Sequence, residues 1–403
     1  MTTSVHQGVS MRQRAALAAV VVTMAWTAAP ADAAPSCAPV VERVAGGTWE
    51  TRPVAGLEGA GWTFEMAADE EDPRLLVVSD TVGVLVSRDG GCRWKRTLVY
   101  GDVFPPGRGV DVEVVGSGAE RSLHVLLDST VEAGYALVSS FDDGRTWNVR
   151  DLPPLTAVAS VDLVASPASR TLFVFARTEA GTGTVYAGAE SGDGWRWSTV
   201  TQGSLAGSAC APGGPCTAPT LQALSADPAQ DGTLWGFGWP QGLGHVALVR
   251  SADQGASWEE VAAPEVAETT ALFDAAPGRH ASLMLLGVYD DFAVSRDGGR
   301  SWAVGQLPRL VEEGSTSRRA FELAHFDRGS AFAIVLGQTD SSAWAGNLLV
   351  FDDRGWTNVS PPDLIGYDRT DEEGRRLTFV ELASSRGSLL ALTSAGELMT
   401  FRR

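Results

Sequence analysis

The chain has 403 residues, of which 45 are glycine, 20 are proline and 44% are hydrophobic. This composition indicates a folded chain with a substantial buried core and many tight turns, which is typical of all-β proteins. A formal net charge of −18, without a basic cluster in the sequence, argues against binding to nucleic acid phosphates.

The N-terminal segment has the pattern of an export signal. Arg12 and Arg14 precede an apolar run over residues 15–26, and small residues at 31–33 offer a cleavage site. The run is too short to predict a membrane span, and no second run of membrane length follows it. An intracellular protein with a buried leader helix is the alternative. The predicted segments are a signal peptide at 1–33, a leader segment at 34–46 and a folded domain at 47–403.

A short phrase, Ser-x-Asp-x-Gly-x-x-Trp, occurs four times in the predicted folded domain. Two incomplete copies of the phrase end at Trp197 and Trp356, and a further tryptophan, Trp49, follows a Gly-Gly pair. The seven tryptophans are spaced near fifty residues apart, from 44 between Trp258 and Trp302 to 61 between Trp197 and Trp258. Such a period, with one aromatic per unit, predicts a repeat architecture and favours a β-propeller. The complete copies are Ser87, Asp89, Gly91 and Trp94; Ser140, Asp142, Gly144 and Trp147; Ser251, Asp253, Gly255 and Trp258; and Ser295, Asp297, Gly299 and Trp302.

Each copy stands between two strand-like runs, as with 82–86 and 94–99 around the first one, which places it at a hairpin turn. An aspartate in such a turn accepts hydrogen bonds from nearby backbone amides, and glycine supplies a backbone angle that residues with a Cβ resist. Serine offers a second short-range bond. The tryptophan opens the outgoing strand and offers a large apolar surface for packing between neighbouring sheets. We therefore predict a structural role for all four copies.

The phrase resembles the Asp-box, or BNR, repeat, and the resemblance covers nearly the whole chain after the signal segment. This repeat is shared by sialidases, sortilin-type receptors, some glucan-cleaving propellers and photosystem II assembly factors. The resemblance implies a propeller built from four-stranded antiparallel blades. It implies no particular activity, because the motif stabilises blades in enzymes and non-enzymes alike.

The residues after Trp356 predict how the ring closes. They supply three short strands, at 377–380, 388–392 and 397–401, but no further phrase or tryptophan strand. The strand that is missing there is present near the start of the chain, at 47–51. We predict that it pairs with the C-terminal strands and completes a seventh blade, since closure of this kind removes exposed sheet edges. Six blades, with the N-terminal strand as a mere leader, is the alternative.

Four cysteines follow the predicted signal peptide: Cys37, Cys92, Cys210 and Cys216. An even number in an exported chain predicts disulfides, with three possible connectivities. Cys210 and Cys216 are predicted to close a small ring on an inserted loop, which leaves Cys37 to pair with Cys92 in the first phrase. A lipid-anchored Cys37 is the alternative, although residues 34–36 form a poor lipobox.

The sequence predicts no catalytic residues, metal or cofactor. Resemblance to a sialidase would imply an arginine triad, a Tyr-Glu nucleophile pair and an aspartate acid. The Arg-Ile-Pro signature of that family is absent, and the nearest fragment is Thr51-Arg52-Pro53. The five histidines have no zinc-binding spacing, and His124, in an apolar strand, is predicted to be a core residue.

The predicted binding surface is the face opposite the phrase turns. In propellers, the loops between the second and third strands of a blade gather there with the loops that link blades. Aromatic side chains on glycine-rich loops are suitable contacts for sugars or peptide segments. The alternative is that these loops pack over the central channel and shield its mouth. The predicted contact residues are Arg108, Trp239, His245, Tyr289, Asp290, Trp344 and Tyr367.

Together these patterns predict an exported, monomeric, non-catalytic propeller of the periplasm, the cell surface or the extracellular space. It is expected to bind a protein or glycan partner through its loop-rich face, in a scaffold, assembly or recognition role. No nucleic acid partner and no integral membrane segment are expected. The alternative function is a sialidase-like glycoside hydrolase with a divergent active site.

Overall fold

A computed structural model describes most of the chain after the predicted signal peptide, which itself lies outside the described residues. Ala38–Arg403 forms one compact unit. Within the described ranges, no helix is both long and apolar enough to cross a membrane. These ranges are 37–57, 64–104, 107–129, 134–155, 158–166, 171–178, 183–191, 194–200, 205–206, 219–227, 230, 232–240, 247–264, 270–276, 281–287, 291–308, 317–326, 330–340, 343–361 and 379–403.

Seven β-sheets, each built on four antiparallel strands, follow one another in a ring, so the fold is a seven-bladed β-propeller, as predicted. Two strands, β1 (Val40–Val44) and β2 (Gly47–Pro53), precede blade one. Blade one contains β3 (Glu65–Ala68), β4 (Leu76–Ser79), β5 (Gly83–Ser87) and β6 (Lys95–Val99), and the short helix α1 (Tyr100–Val103) follows it. Blade two contains β7 (Gly107–Val115), a 3-10 turn at Gly118–Glu120, β8 (Ser122–Ser129), β9 (Tyr135–Ser140) and β10 (Asn148–Arg150).

The next four blades repeat this order. Blade three contains β11 (Val158–Ser166), β12 (Thr171–Thr178), β13 (Gly183–Ser191) and β14 (Gly194–Thr199). Blade four contains β15 (Leu205–Ala206), β16 (Pro219–Ala226), β17 (Leu234–Pro240), β18 (Ala247–Ser251) and β19 (Trp258–Val261), with β15 added parallel to β19. Blade five contains β20 (Thr270–Ala276), β21 (Ser282–Gly287), β22 (Asp291–Ser295) and β23 (Ala303–Gln306), and blade six contains β24 (Ser317–Phe326), β25 (Ala331–Asp340), β26 (Ala343–Asp352) and β27 (Gly355–Asn358).

Blade seven is built from both ends of the described chain. It contains β28 (Phe379–Ser385), β29 (Ser388–Thr393) and β30 (Glu397–Arg402), in the sheet order β1-β2-β30-β29-β28. β2 pairs antiparallel with β30, and Trp49 lies opposite Phe401. The predicted closure is therefore confirmed, and the six-blade alternative is wrong. β1, which lies within the predicted leader segment, adds a fifth strand outside β2.

The burial of each strand follows its position in its blade. All six residues of β21, the second strand of blade five, are buried, whereas the outer strand β23 is mostly exposed. A blade is covered by a neighbour on each side, so apolar residues in its middle strands occupy both faces of the sheet rather than alternate positions only. The resulting cores lie between blades. Trp94, for example, packs in a cluster that joins blade one to blade seven.

Cys37 and Cys92 are both disulfide-bonded, which supports the predicted bond between them. Cys210 and Cys216 lie outside the described residues, so their predicted bond stays a prediction. The closure of β2 onto β30 does not itself depend on this disulfide, because it is made by backbone pairing over Thr48–Pro53 and Glu397–Arg402.

Candidate functional site

The strand order defines two faces of the ring, and three predicted contact residues lie at strand ends that open on the same face. Arg108 is near the start of the inner strand β7, Trp239 is near the end of β17, and Trp344 is near the start of β26. In an antiparallel blade, these positions lie at the opposite end of the sheet from the turn between the third and fourth strands. That turn carries the Ser-x-Asp-x-Gly-x-x-Trp phrase, so we call its side the box-turn face. The other side is the loop face.

The structure describes the loop-face residues only in part. The exposed Arg108 side chain forms an ion pair with Asp128, with 3.3 Å between Nη2 and Oδ2. For Trp239 and Trp344 the backbone is described, within β17 and β26. The remaining predicted contact residues, His245, Tyr289, Asp290 and Tyr367, lie outside the described residues.

The four box turns share one hydrogen-bond pattern. In the first, Ser87 Oγ donates to Asp89 Oδ1 at 3.0 Å and accepts from the Gly91 amide at 2.9 Å. The Asp89 carboxylate also accepts from the backbone amide of Arg93 at 2.8 Å. The glycine has a φ of 85°, in the region that residues with a Cβ avoid. The same serine-to-aspartate and glycine-to-serine bonds occur at 140–144, 251–255 and 295–299.

These bonds hold the box aspartates in the ionised form. The hydroxyl and backbone amide of Ser301 donate to Asp297 and lower its pKa to about 2. For Asp142, partial burial favours the protonated form, but hydrogen bonds from Thr146 and Ser140 outweigh it and also lower the pKa to about 2. A general acid near neutral pH requires a raised pKa. The box aspartates therefore suit a structural role.

His124 lies in β8, is fully buried, and has its two ring nitrogens 2.8 Å from the hydroxyls of Ser139 and Ser122. Burial lowers its pKa to about 3, so the ring is neutral at physiological pH. This geometry is that of a satisfied core histidine. Among the described residues, no three His, Cys, Asp or Glu side chains are grouped as metal ligands.

The inner strands of the blades enclose a central cavity of about 330 Å³. Its lining includes four carboxyl residues, Glu70, Asp111, Glu113 and Glu381. Asp111 and Glu113 both lie on β7, where Asp111 Oδ2 accepts the Leu163 amide at 2.6 Å and Glu113 Oε1 accepts the Ala165 amide at 3.4 Å. Burial raises the pKa of Asp111 to about 7 and that of Glu113 well above its usual range. Both carboxyls thus bridge blade two to blade three.

At the same cavity, His325 joins blades six, five and one. Its Nδ1 lies 3.0 Å from Asp274 Oδ2, and its Nε2 lies 3.5 Å from Glu70 Oε1. Burial opposes protonation, but the two carboxylates outweigh it and raise the pKa of His325 to about 10. The ring is therefore a cation at neutral pH. Sequence reasoning overlooked these inner-strand residues, although the charged pair Asp111-x-Glu113 within a valine-rich run is a detectable signal.

The raised pKa of Asp111 predicts a pH-dependent effect of its replacement. The folded state binds the proton of the Asp111 carboxyl more tightly than the unfolded state does. The stabilisation from that bound proton is therefore fully present below the ordinary pKa near 3.8, and it is lost as the pH rises through the raised pKa of about 7. Asparagine keeps an acceptor for Leu163 and carries no charge. We expect Asp111→Asn to increase the free energy of unfolding by about 1–3 kcal/mol at pH 8, and by far less at pH 4.

Urea unfolding at pH 4, 6 and 8 measures this difference. Asp297→Asn is the matched control, because the Asp297 pKa is lowered rather than raised. Its replacement should reduce stability by nearly the same amount at all three pH values, because that reduction is lost only as the pH falls from the ordinary value near 3.8 to the lowered pKa near 2. If Asp111→Asn changes the free energy of unfolding equally at all three pH values, the raised pKa of Asp111 is contradicted.

Residues that the structure describes form two grooves between blades on the box-turn face, among others. The larger has a volume of about 740 Å³, between blades four and five, and Trp235 forms part of its wall. Arg250 stacks over the Trp235 ring at 5.6 Å and pairs with Glu259 at 3.0 Å. The smaller, of about 290 Å³, lies between blades seven and one. Neither was predicted, because each is formed by residues from two blades.

No protein-family model matches the chain, and the search of curated proteins also finds no match. Solved structures do match it. A structure described as YCF48 bound to D1 peptide has 14% identity and a TM-score of 0.55, over 92% of this chain and 99% of that chain. YCF48 from Cyanidioschyzon merolae has 14% identity and a TM-score of 0.52, over 88% and 98%.

An ancestral GH74 enzyme is also similar, with 15% identity and a TM-score of 0.50. The match covers 85% of this chain but 45% of that one. At these identities the similarities show a common β-propeller fold. They include both an enzyme and a protein bound to a peptide, so they leave the function of this chain open.

Proposed function

We propose that this chain is a divergent, non-catalytic member of the Asp-box propellers, exported, and that it binds a protein partner through its loop face. The observation that carries the proposal is the common placement of Arg108, Trp239 and Trp344 at strand ends of that one face. Tryptophan and arginine are the residues most often found at the energetic centres of protein interfaces. The fold similarity to YCF48 bound to D1 peptide supports a peptide or protein partner over a glycan.

The closed ring suits such a role. Seven blades cover one another's faces, and the last blade joins both ends of the described chain, so the loop face rests on a rigid support. A preorganised surface loses less conformational entropy when a partner binds. Residues at strand ends are positioned more firmly than residues at the tips of long loops.

The test compares partner capture from an envelope extract by the immobilised full chain and by a variant with both Trp239→Ala and Trp344→Ala. We expect the double variant to capture at least about tenfold less partner than the unchanged chain, while its melting temperature stays within a few degrees of that of the unchanged chain. Phe141→Ala is the matched control, because Phe141 is a half-exposed aromatic on the box-turn face. A large drop in melting temperature for the double variant would show that the tryptophans are packing residues and would contradict the proposal.

Treatment of the extract before capture separates the partner classes. Protease should abolish capture of a protein partner, and periodate should abolish capture of a glycan. If capture resists protease but is lost after periodate treatment, the partner is a glycan and not a protein.

A glycoside hydrolase is the second candidate, and the raised pKa values of Asp111 and Glu113 are the observation that favours it. Glycosidases use one protonated and one ionised carboxyl on either side of the scissile bond. Here both acids lie two residues apart on one strand and accept backbone amides of blade three. A panel of fluorogenic glycosides tests this function. Turnover that Glu113→Gln abolishes would establish the hydrolase and overturn the non-catalytic proposal.

A further inference from the structure

The groove between blades seven and one, on the box-turn face, has an unusual charge. Its lining includes one carboxylate, Asp89, and four guanidinium groups, although the whole chain carries a formal net charge of −18. We call it the arginine groove. The four arginines are Arg52, Arg74, Arg386 and Arg402.

The strand register of blade seven explains why arginines meet apolar residues here. Arg52 lies opposite Leu398, and Leu398 in turn lies opposite Leu392, so the three side chains share the face that looks toward blade one. The leucines of this face pack against blade one in a buried cluster. Arg74, Arg386 and Arg402 lie where the two blades separate at the box-turn face, and Arg52, which is level with the leucines, also lines the groove. Their long apolar stems can rest on the leucines while their charged ends stay in water.

Arg386 enters the groove from a tight turn. It connects β28 to β29 with Gly387, between the paired residues Ser385 and Ser388. Its φ of 46° lies in the left-handed region, where asparagine or glycine is the usual occupant. An arginine in this conformation costs backbone energy, which is consistent with a role for its side chain.

The carboxylates near the groove do not match its guanidinium groups. Glu50 serves two of them, at 3.2 Å from Arg52 Nη2 and 3.4 Å from Arg402 Nε. Asp72 pairs with Arg74 at 2.8 Å. Arg52 Nε is buried and has no hydrogen-bond partner among the described residues.

Asp89, the acidic group of the lining, is already engaged by another cation. Its Oδ2 lies 3.0 Å from Arg93 Nε, and its Oδ1 is used within the box turn. The groove therefore keeps an excess of positive charge and a buried donor that lacks an acceptor. An anionic ligand would supply both the charge and the acceptor.

We propose that the arginine groove is an oxyanion-binding site, which accepts a carboxylate or phosphate group. Guanidinium groups offer paired N–H donors that match the two oxygens of such a group, and charge-assisted hydrogen bonds of this type are strong. The volume of about 290 Å³ admits a phosphate or the side chains of a short acidic peptide. The site lies on the face opposite the proposed partner surface and does not depend on it.

The equivalent groove between blades four and five shows that this charge is not a general feature of the fold. It occupies the same position relative to its two blades, beside the box turn of blade five. Its charged lining has two cations against three carboxylates: Arg250, Arg300, Glu259, Glu260 and Asp297. This second groove supplies a matched control.

The experiment is calorimetric titration of the full chain at low salt with inorganic phosphate and with the peptide Glu-Glu-Glu. We expect the double variant Arg74→Gln and Arg402→Gln to bind at least about tenfold more weakly than the unchanged chain. Both side chains are largely exposed, so the melting temperature should stay nearly constant. Arg300→Gln, in the second groove, should bind as the unchanged chain does.

The two ligands separate the sources of the anion. Tighter binding of phosphate indicates a free or esterified phosphate, and tighter binding of the peptide indicates carboxylates of an acidic segment. Raising the salt to about 0.5 M should weaken either interaction, because screening acts within a few ångströms at that concentration. Absence of binding to both ligands, or equal weakening by Arg300→Gln, would overturn the proposal.

Discussion

Replacing Trp49 by alanine should lower the free energy of unfolding by about 3–5 kcal/mol, the range found for large aromatic residues in protein cores. Trp49 is fully buried between blades seven and six. Its ring lies 5.0 Å from Phe401 and 6.0 Å from Phe379, and its indole nitrogen donates to the Val359 carbonyl at 2.5 Å. Alanine removes the packing and leaves that carbonyl without its donor.

The loss of stability on Trp49→Ala should be large because of the position of Trp49 in the ring. It is on β2, the N-terminal strand that completes blade seven, so its loss weakens ring closure as well as one core. Urea unfolding followed by circular dichroism measures the change. Val40→Ala is the control, because Val40 is 72% exposed on the outermost strand and should change stability by less than about 0.5 kcal/mol. A loss below about 1 kcal/mol for Trp49→Ala would contradict the closing role.

Replacing Arg121 by methionine should also cost about 3–5 kcal/mol, the range for removing one partner of a buried ion pair. The Arg121 side chain is 8% exposed and lies 2.5 Å from Asp69, which is 1% exposed. It also lies 2.7 Å from Asp143, in the box turn of blade two. The arginine therefore joins blade one to blade two, and its removal leaves the Asp69 charge buried without its guanidinium.

A second substitution separates the charge from the packing. Asp69 Oδ1 accepts the backbone amides of Glu71 and Asp72, which asparagine can also do. Adding Asp69→Asn to Arg121→Met should therefore restore about 1–3 kcal/mol, because no uncompensated carboxylate remains. Thermal unfolding at neutral pH is the measurement. Arg145→Gln, an exposed change on the same box turn, is the control. If the double variant is as unstable as Arg121→Met alone, the loss arises from packing.

The box turns were predictable because each is complete within a few residues. Ser87, Asp89 and Gly91 bond to one another, and the positive φ of Gly91 belongs to the same turn. The residues of the phrase therefore determine the conformation of the turn by themselves. Its spacing gave the number of blades, and the strand at 47–51 revealed the closure because blade seven otherwise had three strands.

The disulfide was predicted less directly. Pairing of Cys37 with Cys92 followed from the number and order of cysteines in a chain that the sequence predicts to be exported, and both residues are disulfide-bonded. The loop-face contact residues followed from topology, which places strand ends but gives no side-chain contacts. For that reason Trp239 and Trp344 are assigned to a face and their binding role stays a prediction.

Contacts between blades were not predictable from the sequence. Arg121 is 52 residues from Asp69, and Arg52 is in the N-terminal strand whereas Arg386 and Arg402 are near the C-terminus. No local pattern indicates that such residues meet, because their distance depends on the angle and separation of neighbouring sheets. The pKa values of Asp111 and His325 depend on the same geometry, since burial and partners from other blades cause them.

The sequence by itself determined the repeat unit, the turn chemistry, the number of blades and the strand that closes the ring. These depend on hydrogen bonds and side-chain patterns within about fifty residues, together with one missing strand. The tertiary structure alone decided which charges are buried, which carboxyls hold a proton and where arginines gather without matching acids. Those properties arise where two blades face each other, and the free energy of a charge depends on everything that surrounds it in space.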